Sequence, residues 1–138
     1  MEQTTAKGAG FLKVTGILMI IGGAISLILS IVTLIGIAAL VYMSDGALSS
    51  AMLYASGALM LVSAVAEFVA GIIGVANCKR PEKAGTCIGW GLVVAVLCVV
   101  SSILTVVGGS SFPVFSCLLG LVLPALFILG AAKNKQSV

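Results

Sequence analysis

The stretch "VTGILMIIGGAISLILSIVTLIGIAALVYM", residues 14–43, runs for thirty residues without a charged side chain. About 20 apolar residues in a helix cross the ~30 Å hydrocarbon core of a bilayer. A run of this length reads as a membrane-spanning helix, so lipid is the solvent in which the remaining residues must be read. The composition agrees. Of 138 residues, 61% are hydrophobic and 8% charged, with a mean hydropathy of +1.32, against about 25% charged residues in an average soluble domain. The length allows one domain.

Beyond this run, apolar segments continue over residues 47–77, 86–107 and 113–132. The separators are "SDG" (44–46), "CKRPEK" (78–83) and "GGSSF" (108–112), rich in the Gly, Pro, Ser and Asp that punctuate helices. The pattern predicts an all-α integral membrane four-helix bundle. Its short links make neighbours antiparallel, in an up-down arrangement.

Lys7 and Lys13 precede the first segment, Lys79, Arg80 and Lys83 separate the second from the third, and Lys133 and Lys135 follow the fourth. All the cations therefore fall on one side, and the positive-inside rule puts both termini and the middle link in the cytoplasm. A multi-pass protein of the cell membrane is expected. The net charge of +3 is too small and too dispersed for a nucleic-acid surface. The cluster of Lys79, Arg80 and Lys83 is expected to set topology and to attract anionic head groups, at about 1 kcal/mol per charge. The first apolar run is about twice as long as the ~7–15-residue core of a signal peptide, so it is expected to be retained.

Within the second segment, "VSAVAEFVAG" (62–71) holds Glu67, the one charge between residues 47 and 78. Counting ~1.5 Å per residue from the flanking polar positions places it near the midplane. An acid there costs roughly 2.5–3.5 kcal/mol on insertion scales. At helical spacing its own face carries Ser56, Met60, Ser63, Ala64, Ala70, Gly71 and Gly74, whereas the opposite face carries Leu61, Val65, Phe68 and Ile72. Small residues mark helix contacts in membranes. Glu67 is therefore expected to point into the bundle.

Comparable seams occur elsewhere: Gly22, Ser26, Ser30, Thr33 and Gly36 in the first helix, Gly91, Cys98 and Ser102 in the third, Gly120 and Pro124 in the fourth. Ser26, Ser30, Ser63 and Ser102 are candidate hydrogen-bond donors to Glu67, because no Lys, Arg or His falls within a span. Two readings of this acid stand. Without a cation in low dielectric, it keeps its proton and serves packing; alternatively it exchanges a proton or binds a cation along a watery path. Inward of Glu67 the face continues only with Ala70, Gly71 and Gly74, so the polar path ends halfway.

The segments "LIGIAALVYM" (34–43) and "ALSSAMLYAS" (47–56) exceed membrane length. Either the first two helices tilt, or their tip projects as an apolar hairpin with Tyr42 and Tyr54 at the interface. Pro124 should kink the fourth helix and release the carbonyl of Gly120. Cys98 and Cys117 read as small apolar residues. The cysteine spacing matches no zinc pattern and there is no His, so no metal or cofactor is expected. With no Ser-His or Cys-His pair and one intramembrane acid, the chain is not expected to be an enzyme.

The segments "LKVTGILMIIGG" (12–23) and "RPEKAGTCIGWG" (80–91) resemble parts of small uncharacterised four-span membrane proteins of bacteria. The resemblance implies a fold and no activity. The expected role is that of a structural or accessory membrane protein, acting in the lipid bilayer through helix-helix oligomerisation, as a homo-oligomer or with a membrane protein partner. The alternative is a small oligomeric channel or transporter with Glu67 as its intramembrane proton or cation site.

Overall fold

The computed structural model describes residues 8–45, 50–107 and 114–136. Among the described residues four helices make up the fold: α1 (Ala9–Met43), α2 (Ser50–Asn77), α3 (Ala84–Val107) and α4 (Val114–Lys135), with a 3-10 turn, Pro81–Lys83, leading into α3. The fold is all-α. Among the described residues, three helical segments are long and apolar enough to cross a membrane: Ala9–Met43, Ser50–Asn77 and Pro81–Leu104. Lys7, Gly46 and the "GGSSF" link lie outside the described residues.

The helices end at Met43, Asn77 and Val107, where the apolar runs end, but α1 starts at Ala9 and passes through Lys13, and α4 continues to Lys135. Charge marks where the apolar run ends, not where the helix ends. Lysine is a good helix former, and a cation in a last turn complements the helix dipole. At the end of α1 the Ser44 N–H donates to the Leu40 carbonyl at 3.0 Å, and Asp45 takes the left-handed conformation with φ 49°. That reversal stops the helix, and Asp tolerates it better than most residues. At the other link, Pro81 opens the 3-10 turn, where its missing N–H costs nothing.

Each helix packs on the next, and α4 returns to pack on α1. Gly57 faces Leu34 and Ile37, while Gly71 faces Gly16 and Ile20, so α1 and α2 run antiparallel. Their seam repeats every seven residues. Gly16, Gly23, Ser30 and Ile37 are buried on α1, and Gly57, Ala64 and Gly71 on α2. A strict seven-residue repeat keeps one stripe facing a supercoiled partner, and small residues let the backbones approach. Thr33 and Gly36 are a correction to the expected seam: both are exposed, and a Cβ on Gly36 would meet nothing within 4 Å. The repeat that begins at Gly16 lands on Ile37, one residue beyond Gly36. Residue size alone did not reveal that phase.

The antiparallel arrangement gathers Lys13, Lys79, Arg80, Lys83, Lys133 and Lys135 at one end of the bundle. The core lies towards this basic end, built from Leu12, Met19, Ala70, Cys78, Cys87, Phe127 and Ala131. Phe127 of α4 reaches across the bundle to Gly74 of α2 and Gly91 of α3. Asn134, fully buried at 0% exposure, donates from Nδ2 to the Cys78 carbonyl at 3.0 Å. That carbonyl lies just past the end of α2, where helix carbonyls lack partners of their own. Asn134→Ala is expected to lower stability by about 1–3 kcal/mol, the cost of stripping a buried polar group of its partner. Unfolding by dodecyl sulfate in mixed micelles measures this, with exposed Lys135→Ala as the variant expected to change nothing.

Candidate functional site

Glu67 sits on α2 one turn from Ser63 and is half-buried. Its carboxyl lies against Gly22 of α1, where an added Cβ would stand 3.2 Å from Oε1. The absence of a side chain at Gly22 thus makes room for the acid. Glu67 borders a cavity of about 250 Å³ to which all four helices contribute. Ser26 comes from α1, Ser63 from α2, Cys98 and Ser102 from α3, and Cys117 from α4, with Met60, Ala64 and Val94 as apolar wall.

Three of the four candidate serine donors, Ser26, Ser63 and Ser102, thus share the cavity wall with Glu67. Ser30 does not. It lies one turn beyond Ser26, buried in the α1–α2 seam, and its Oγ donates to the Ser26 carbonyl at 2.7 Å. Serine hydroxyls in helices commonly take this local bond. Ser102 does likewise, donating to the Cys98 carbonyl at 2.9 Å and lying 3.4 Å from Cys117 Sγ. Ser63 Oγ is buried and makes no hydrogen bond among the described residues.

On the basic side of Glu67 the bundle is filled: Ala70 and Phe127 are both 0% exposed. The cavity therefore lies on the other side, and Glu67 stands at its floor. Its wall carries no Lys or Arg among the described residues. No three His, Cys, Asp or Glu side chains cluster closely enough to hold a metal ion among the described residues.

Gly36 apart, the glycines of the expected packing seam are all occupied within the bundle. Gly71 faces the Gly16 carbonyl at 2.8 Å, Gly74 the Phe127 ring, Gly91 Ile128 Cγ1 at 2.7 Å and Gly120 Cys98 Sγ at 2.9 Å, each measured from an added Cβ. Together with Gly22 they shape the interior and leave no open groove of their own. α4 remains helical through buried Pro124, and Gly120, one turn earlier, gives Cys98 its space. The basic side chains of Lys79, Arg80 and Lys83 are exposed beside the α2–α3 link.

Sequence reasoning missed two parts of this arrangement. Cys98 and Cys117 form polarisable walls of the cavity rather than mere small fillers. The signal available was the seam that carries Cys98 to Ser102, at i and i+4. Asn134, hidden between two lysines, looked like tail and is instead fully buried; only packing identifies it. No protein-family model, curated protein or solved structure matches the chain, so the reading of this cavity rests on its own residues.

Proposed function

We propose that this chain is a four-span protein of the cell membrane, with both termini cytoplasmic, and that it acts as a structural or accessory protein through contact with a second copy of itself. The positive-inside rule supports the orientation, given the gathering of cations at one end. α4, at 22 residues, is about long enough to span.

The observation that carries the oligomeric role is the outer part of the α1–α2 pair. α1 has 35 residues and α2 has 28, against 24 in α3 and 22 in α4. The thirty apolar residues after Lys13 span ~45 Å at ~1.5 Å per residue. At the average tilt of ~20° they still cover ~42 Å, more than a ~30 Å core holds. Tyr42 is 89% exposed, and Ile35 and Met52 are exposed with it. An apolar tip that outreaches both lipid and its own bundle favours a cover of like chemistry, and the same tip on another copy supplies one.

Ile35→Lys and Met52→Lys test this. In detergent or nanodiscs, native mass measurement is expected to find an oligomer for the wild type and a monomer for each variant. A monomeric wild type, or variants of unchanged mass, would remove the proposal. The transport alternative receives less support from the interior, since the cavity stops at Glu67 and the packed Phe127 lies beyond it.

A further inference from the structure

We propose that the Glu67 cavity is a binding site for a small aliphatic ammonium ion. The assignment is independent of the oligomeric role.

The chemistry of the wall selects the ligand. Glu67 brings a carboxyl with no Lys or Arg beside it on the cavity wall, among the described residues. Ser63 Oγ is buried and unpartnered among the described residues. A polar atom left in that state costs about 1–3 kcal/mol, so turning the Ser63 hydroxyl towards the cavity its residue lines, to bond a ligand there, recovers a penalty already present in the empty protein. Both groups accept hydrogen bonds from an N–H donor. Ionised Glu67 and an ammonium together are neutral, which lightens the cost of holding charge at low dielectric.

Hard metal cations are poorly matched. They take about 6–8 oxygen ligands, whereas this wall interrupts its few oxygens with Met60, Val94, Cys98 and Cys117. Those same groups suit an alkyl body. The volume of about 250 Å³ exceeds the ~150 Å³ of a cavity that accepts benzene. A chain of four to six carbons therefore fits with its head at Glu67 and its body against Met60 and Val94.

The test uses the full chain in detergent, n-butylammonium as probe and 1-butanol as its uncharged counterpart. Binding is followed by calorimetry and by protection of Cys98 and Cys117 from methyl methanethiosulfonate, resolved by peptide mass spectrometry. Butylammonium is expected to bind saturably and to slow modification of both thiols. Glu67→Gln should weaken its affinity at least ~10-fold, which is about 1.4 kcal/mol, and should abolish the protection, while the weak effect of 1-butanol stays the same in both proteins. Should Glu67→Gln fail to fold, Ser63→Ala serves instead, with an expected loss of ~3–10-fold from the missing acceptor. Absence of saturable binding to the wild type, equal affinity in the variant, or protection by 1-butanol as strong as that by butylammonium would each overturn the assignment.

Discussion

Gly23→Val is expected to force α1 and α2 apart and to cost about 3 kcal/mol, at the upper end of the usual penalty for overpacking. A Cβ at Gly23 would stand 2.7 Å from the backbone nitrogen of Phe68 and 2.8 Å from its Cα. Backbone atoms cannot rotate out of the way as a side chain can. The strain must therefore go into the spacing of two helices that touch from Gly16 to Ile37. In lipid the effect is direct, because association of helices there rests on close packing and not on exclusion of water. Gly36→Val is the matched comparison. It adds the same group to the same helix, at a place where nothing lies within 4 Å, and is expected to stay within about 0.5 kcal/mol of the wild type. Dodecyl sulfate unfolding of both variants gives the difference. Equal losses would mean that the close approach at Gly23 is not what the valine disturbs and that the seven-residue seam does not hold the pair together.

The comparison also marks how much of this protein was legible in its sequence. The helix ends at Met43, Asn77 and Val107 could be read, because apolar runs and breakers report directly on burial in lipid. The starts at Ala9 and Ala84 could not, since a helix tolerates Lys13 and Gly85 outside the unbroken apolar run. Glu67 could be placed on a face with Ser63, Ala64 and Gly71 because all four lie on one helix with a known period. What lies opposite that face depends on the phase of three other helices. Ser26 and Ser30 are one turn apart and equally polar, yet one lines the cavity and the other is buried in the α1–α2 seam. Asn134 shows the same limit from the other direction: its partner, the Cys78 carbonyl, is a backbone atom with no signature in the sequence.

Gly74 and Phe127 are expected to behave as one unit. Phe127→Ala empties the centre of the bundle, where the ring is 0% exposed, and by analogy with other large-to-small core changes should cost about 3–5 kcal/mol. Gly74→Ala places a methyl group where the ring now lies, for about 1–3 kcal/mol. Gly74→Ala combined with Phe127→Leu should be more stable than the sum of Gly74→Ala and Phe127→Leu measured singly implies, by about 0.5–3 kcal/mol, because the smaller side chain yields the space that the methyl needs. Simple additivity would show that the contact carries no energy of its own. The same ring packs at Gly74, about two turns beyond Glu67 towards the basic end, so its removal has a second readout. In liposomes loaded with a pH-sensitive dye, the wild type is expected to hold a proton gradient as well as protein-free vesicles do. Phe127→Ala should leak, and adding Glu67→Gln should reduce that leak, since the acid is the group at the cavity floor able to relay a proton. A wild type that leaks, with the leak abolished by Glu67→Gln alone, would reverse the ranking of the two roles: Phe127 would then be a gate, and the chain a transporter rather than an accessory protein.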